Sequence, residues 1–283
     1  MICFIIKNKN MGKAIKIDNA NFVSRGLGQV HWCKYDISYC TLYKYLIGDS
    51  NSYIDLGIKC SKYNIKKVKA TILNDSTNWR FIIGNTRYIS SSSQSQDAIR
   101  INNSSSGYGL SALFSSVTSN ASSDLVQAQQ PLLGKEQYIE LHTNAVGAAD
   151  GYSIVKYFIN GNMIYNYNSS SSAKNMNDDY NLFIMAGYNN TNFFTCDNGV
   201  YVSRIYFEDI NNQADSNPNY DLPGIGMPLD LIPCQLNRDI DGTLAFDGQS
   251  HSAGECGFVN FFNGKFYGST TDTKGFTVSN YLL

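Results

Sequence analysis

From Ser52 to Phe276 the chain is a succession of short runs rich in β-branched and aromatic residues, broken by Asn-, Ser- and Gly-rich turns about every eight to fifteen residues. No other feature narrows the fold so far. A βαβ unit needs a crossover of about a dozen residues or more between its strands, usually a helix, and no such helix is legible here. The best helical candidate, Ser123-Asp-Leu-Val-Gln-Ala-Gln-Gln130, is short, is stopped by Pro131, and reads as a loop or an edge strand. Roughly twelve to fourteen strands at this spacing predict an all-β, two-sheet antiparallel sandwich.

Individual segments support that reading. Ser153-Ile-Val-Lys-Tyr-Phe-Ile159 turns through Asn160-Gly161 into Asn162-Met-Ile-Tyr165, and an Asn-Gly pair accepts the positive φ that a two-residue hairpin demands. In Ser52-Tyr-Ile-Asp-Leu-Gly-Ile58 strict alternation leaves Tyr53 and Asp55 on one face and Ile54 and Leu56 on the other. Leu182-Phe-Ile-Met-Ala-Gly187 is apolar throughout and is expected between the sheets. Serine-rich stretches at 90–95 and 169–172 read as loops, and 211–219 as a polar break.

The last stretch organises the rest. Leu231-Ile-Pro-Cys234 reads as a strand ending at a proline, Asp241-Gly242 as the turn of a hairpin, and Asn263-Gly264 as a second turn between Phe261-Phe262 and Phe266-Tyr267. At the other end, residues 1–50 read as an N-terminal arm and connector, with Met11 as a plausible true start. His31 to Ile47 is aromatic without a clean period and is read as the connector into a sandwich at 51–283.

Composition limits the partners. A net charge of −1 argues against a broad nucleic-acid-binding face, because phosphate affinity needs clustered Lys and Arg. The one basic run, Lys59 to Lys69, alternates within Ile65-Lys-Lys-Val-Lys-Ala-Thr-Ile72 and is read as a strand with one solvated face. Seven cysteines with no C-x-x-C pair and no Cys/His cluster are expected to be free thiols, consistent with assembly in a reducing cytoplasm. Met1-Ile-Cys-Phe-Ile-Ile6 is too short for a signal core or a bilayer span, so membrane insertion is not expected.

Catalytic patterns are missing. No two-glutamate strand motif of the E-x-D-x-E kind occurs, and the glutamates at 136, 140, 208 and 255 stand apart. His31, His142 and His251 are scattered, and there is no G-x-S-x-G elbow. Asp239-Ile-Asp-Gly242 with Asp247 places oxygens on alternate residues before a glycine, a weak calcium pattern that also reads as an ordinary turn. What remains is binding chemistry. Trp79, Arg80, Tyr88, Tyr108, Tyr188 and Tyr201 lie in or beside Asn- and Ser-rich loops, where an aromatic plate meets the C–H face of a sugar and amides meet its hydroxyls. Packing competes for every tyrosine, since the chain has 20 of them.

Taken in order, Tyr201-Val-Ser-Arg-Ile-Tyr-Phe-Glu208, Leu231-Ile-Pro-Cys234, Gly242-Thr-Leu-Ala-Phe-Asp247 and Asn263-Gly-Lys-Phe-Tyr-Gly268 resemble the C-terminal signature of concanavalin A-like, laminin G-like jelly-roll domains of phage virion proteins and related bacterial surface proteins. The resemblance extends from Tyr53 to Phe276 and contains no catalytic motif. Met11 to Val30 resembles the short arms that begin structural proteins of crAss-like phages infecting gut Bacteroidales. What this implies is a jelly-roll of the lectin/glucanase type on a short arm, in a non-enzymatic fibre, tail or capsid-decorating protein assembled in the host cytoplasm. Its implied partners are other virion proteins, its own copies in a homotrimer, and a host-surface or mucosal glycan. The rival expectations are a bacterial surface lectin, a jelly-roll glycoside hydrolase, and a particle protein with no ligand.

Overall fold

A computed structural model describes residues 14–17, 20–25, 29–33, 37–59, 64–74, 80–90, 93–104, 107–115, 124–125, 132–143, 153–169, 181–188, 193–209, 228–239, 241, 255–270 and 275–282. Its strands are β1 (Ala14–Ile17), β2 (Ala20–Arg25), β3 (Gln29–Cys33), β4 (Cys40–Leu42), β5 (Tyr45–Ile47), β6 (Ile54–Lys59), β7 (Asn64–Ile72), β8 (Arg80–Ser90), β9 (Ser93–Ser104), β10 (Gly107–Ser115) and β11 (Asp124–Leu125). The second half adds β12 (Glu136–Thr143), β13 (Ser153–Ile159), β14 (Asn162–Ser169), β15 (Asn181–Ile184), β16 (Ala186–Tyr188), β17 (Phe193–Thr195), β18 (Val200–Asp209), β19 (Leu229–Leu236), β20 (Cys256–Asn260), β21 (Phe266–Gly268) and β22 (Thr277–Ser279). Among the described residues there is no helix.

Two antiparallel sheets make the body. One has 6 strands in the order β11-β10-β9-β8-β15-β6. The other has 11, running β14-β13-β12-β7-β18-β19-β20-β21 with β4, β5 and β22 joined at its side. Strands β1 to β3 form a sheet of their own, and β16 and β17 a two-stranded ribbon. Alternation explains the layering: Val68, Ala70 and Ile72 of β7 and Ile139 and Leu141 of β12 are fully buried, and they share one cluster with Ile82, Ile99, Ile101 and Leu110 of the smaller sheet. The fold is thus the expected all-β, two-sheet antiparallel sandwich.

Asn160 and Gly161 take φ of 52° and 79°, as the hairpin reading requires. The Asn160 amide donates to the Tyr138 carbonyl at 2.7 Å, and its side-chain oxygen accepts from the Tyr138 N–H at 2.8 Å. The turn therefore pins β12. Because an L side chain in this region is strained by about 1–2 kcal/mol, Gly161→Ala is expected to lower the urea midpoint by a corresponding amount without loss of sheet circular dichroism.

One polar cluster interrupts the core. The Lys66 ammonium lies 2.5 Å from Asp97 Oδ2, with both side chains at 0% exposure. Asn64 bridges them, donating to Asp97 Oδ2 at 2.6 Å and accepting from Lys66 Nζ at 2.5 Å. Lys66 is on β7 and Asp97 on β9, so the pair ties one sheet to the other. The ammonium also stands 5.6 Å from the ring centre of Phe207.

Several expectations are corrected. The residues read as a connector include β4 and β5, which belong to the larger sheet: Cys40 to Leu42 pair with β19, and Tyr45 to Ile47 with β18 and β22. All three residues of β5 are buried, so no alternation marks it as a strand. The strand at Leu231 does not end at the proline but continues to Leu236. On one flank β19 pairs with β18 through Leu231 and with β4 from Cys234 onward, and the Pro233 carbonyl accepts from Tyr43 N on that flank. Proline's missing N–H thus falls where the neighbouring strand changes. Ser90 and Ser93 to Ser95 are strand residues rather than loop, as is Ser169. Phe261 and Phe262 lie in the turn, since β20 ends at Asn260. Residues 211–219 and Gly242 lie outside the described residues.

Candidate functional site

The larger sheet turns its second face outward, and across its middle two rungs of side chains meet. In one, Tyr138 of β12 pairs with Lys69 of β7, which pairs with Arg204 of β18. The next rung carries Glu140, Lys67, Tyr206 and Asp230 of β19. Residues directly paired across antiparallel strands share a face, so all seven of these side chains project from the same side. Together Lys67, Lys69, Tyr138, Arg204 and Tyr206 line an open cleft of about 470 Å³.

A phase slip in β18 builds this site. Val200 and Val202 point into the core, and so do Ile205 and Phe207, so inward positions change from even to odd numbers. The register shifts between Val202 and Arg204, leaving Ser203 as the extra residue of a bulge. Its hydroxyl donates to Glu136 Oε2 at 2.7 Å. In unbroken alternation Ser203 would face outward and Arg204 the core; because Ser203 bulges out as an extra residue, the guanidinium joins Lys69 outside.

Each cation has a different setting. Arg204 donates from Nε and Nη2 to the two carboxylate oxygens of Asp230 at 2.6 and 2.5 Å. These hydrogen bonds hold its guanidinium above the usual arginine range, although burial pulls the other way. Lys67 stands 3.4 Å from Glu140 and 5.7 Å from the Tyr206 ring centre. The Lys69 ammonium lies 5.8 Å from the Tyr138 ring centre, and among the described residues no carboxylate is within ion-pair distance of it.

Tyr138 is held as a neutral hydroxyl. Burial, and then the charge of Glu140, push Tyr138 up to about 12, with Arg204 pulling it back. Tyr206 donates to Glu208 Oε2 at 2.7 Å, and His142 Nε2 lies 3.0 Å from Glu140 Oε2. A phenol held this far above neutral pH is a donor and a flat apolar plate, not a general base.

Residues singled out from the sequence fall elsewhere. Arg80, expected beside a ligand, is 1% exposed; it donates to Asp197 Oδ1 at 3.0 Å and to the Asn74 carbonyl at 3.0 Å. That is a structural ion pair, and it corrects the reading of Arg80 as a ligand contact. Tyr188 is half-buried in an aromatic group where its ring centre is 4.7 Å from that of Phe193, which stacks on Tyr53 at 3.8 Å. Tyr88 and Tyr108 lie on β8 and β10, and Trp79 lies outside the described residues. Asp239 and Asp241 are exposed, and Asp247 lies outside the described residues. Among the described residues no group of three or more His, Cys, Asp or Glu is gathered. Cys40, Cys196, Cys234 and Cys256 are buried free thiols, and burial raises Cys196 and Cys234 far above the ordinary thiol range.

No family profile and no curated protein matches the chain. Among solved structures it is similar to the galectin LEC-6 of Caenorhabditis elegans, at 14% identity and a TM-score of 0.31 over 56% of this chain and 92% of that one. It is also similar to the alginate lyase Aly36B, at 8% identity and a TM-score of 0.34 over 71% of this chain and 87% of that one. A third likeness is to a full-length tailspike protein of an Escherichia coli O157:H7 bacteriophage, at 12% identity and a TM-score of 0.36 over 65% of this chain and 28% of that one. At this degree of similarity none of the three bears on what the chain does.

Proposed function

We propose that this protein is a non-enzymatic virion component of a Bacteroidales-infecting phage, a fibre, tail or capsid-decorating protein whose sandwich binds a glycan on the host surface or in mucus. The observation that carries the binding part is the cleft on the outer face of the larger sheet, where two tyrosines and three cations converge in about 470 Å³. That volume falls in the range of small-ligand sites. Phenol plates and fixed donors suit a saccharide, which offers apolar ring faces and acceptor oxygens.

A binding role rather than hydrolysis is supported by what holds the acids. Glu136 accepts from Ser203, Glu140 faces Lys67 and His142, Glu208 accepts from Tyr206, and Glu255 pairs with Arg238. The virion part rests on the resemblance of the closing hairpins and of the Met11–Val30 arm, which would dock the module on neighbouring virion proteins, with three copies forming the appendage.

Glycan-array binding by the purified protein is expected, and Tyr138→Ala/Tyr206→Ala should lose it about 10- to 100-fold while retaining the sheet spectrum. An array with no binding above background would overturn the lectin role. Mass spectrometry of separated heads and tails tests the virion role, and absence of the protein from purified particles would remove it.

A further inference from the structure

Resting on the glycan reading, we infer that the ligand of this cleft is acidic, a saccharide bearing carboxylate or sulfate groups, and that Lys69 is the residue that reads the charge. Every residue lining the cleft is a cation or a tyrosine, and none carries a carboxylate. The flanking cations are already answered, Lys67 by Glu140 at 3.4 Å and Arg204 by both oxygens of Asp230. Lys69 is not.

It occupies the central strand of its rung, between Tyr138 and Arg204. Its position is fixed from both sides, by the Asn160 turn behind Tyr138 and by the Ser203 bulge before Arg204. An uncompensated ammonium between the Tyr138 ring and the Arg204 guanidinium is poorly answered by neutral sugar hydroxyls. An anionic oxygen answers it fully, with a charge-assisted bond about twice as strong as a neutral one.

A nucleic acid is the other polyanion to weigh. The outer face pairs Lys67 with Glu140 and Arg204 with Asp230 and also carries Glu136 and Glu208, each bound to a hydroxyl, which leaves room for one anionic group rather than a phosphate track.

The test is isothermal titration of the full chain with an oligogalacturonate, which carries carboxylates, a carrageenan oligosaccharide, which carries sulfates, neutral maltohexaose and oligouridylate. Binding of either acidic oligosaccharide is expected, and which one binds names the anionic group. Lys69→Met should weaken it about 10- to 100-fold, the loss of one charged hydrogen bond, and Lys69→Arg should restore most of it. Raising NaCl from about 0.05 to 0.5 M should weaken the parent and leave Lys69→Met nearly unchanged. Two results overturn the acidic ligand but leave the glycan reading standing: maltohexaose bound as tightly as the acidic sugars, or acidic binding indifferent to Lys69→Met. Binding of oligouridylate alone, or of none of the four together with a blank glycan array, overturns both.

Discussion

Lys66→Met is expected to remove about 3–5 kcal/mol from the free energy of unfolding, enough to leave much of the protein unfolded at 37 °C. Lys66 and Asp97 are both fully buried, and among the described residues Asp97 Oδ1 has no hydrogen-bond partner. Taking away the ammonium strands a carboxylate between two sheets, with only the Asn64 amide at 2.6 Å to solvate it. Replacing both partners removes the stranded charge, so Lys66→Met/Asp97→Leu should regain at least half of the loss. Urea denaturation of the parent, the single and the double variant measures this directly. A single variant within about 0.5 kcal/mol of the parent would show that water reaches the pair and that the desolvation argument is wrong.

Deleting Ser203 should by contrast be mild, costing about 1–2 kcal/mol. Ser203 is the unpaired residue between Val202, opposite Ala70, and Arg204, opposite Lys69, so its removal leaves unbroken alternation with Val200, Val202, Ile205 and Phe207 all still facing inward. The loss is then confined to the bonds of Ser203 and the local twist of the bulge, while the roughly 1.5–3 kcal/mol that each of the four apolar side chains contributes by burial is kept. Ser203→Ala keeps the bulge and loses only the bonds to Glu136 and to the Lys69 carbonyl, so it should cost about 0.5–1.5 kcal/mol and leave the cleft in place. Limited proteolysis and thermal melts separate the outcomes. A deletion variant far less stable than Ser203→Ala would mean that the bulge itself, and not the alternation on either side of it, holds β18 in register on β7.

Alternation made most of the sandwich legible from sequence. Where one face is wet, as in Val68 to Ile72 and Gln137 to His142, the apolar residues marked the strands and their inner faces, whereas Ile65 faces outward and Lys66, read with the solvated basic run, is buried. Tyr45-Leu-Ile47 escaped because every residue is covered, leaving no period to read. The long serine-rich ends of β8 and β9 escaped because serine has little strand preference of its own, and there the ladder of Arg87↔Ser95 and Tyr88↔Gln94 decides the conformation.

The candidate site was hidden for a different reason. Lys67, Lys69, Tyr138, Arg204 and Tyr206 come from three strands widely separated in sequence, and only the register places them together. Lys67 and Lys69 were correctly placed on a solvated face, but nothing local announces which tyrosines stand beside them. One clue was available: the change of phase between Val200-Tyr-Val202 and Ile205-Tyr-Phe207 marks a bulge, and bulges commonly re-aim a side chain next to a site.

The pairing of β4 with β19 and of β5 with β22 also sets a timetable. Lys44 N reaches Asn280, 236 residues along the chain, and Thr41 reaches Asn237, 196 residues along. As the polypeptide emerges from the ribosome, Cys40 to Ile47 therefore wait, without most of their ladder, until β18, β19 and β22 have been made. Contacts this distant in sequence slow folding, so the final docking of the tail should set the pace of maturation, and the waiting segment is where a chaperone or a misplaced second chain would find purchase.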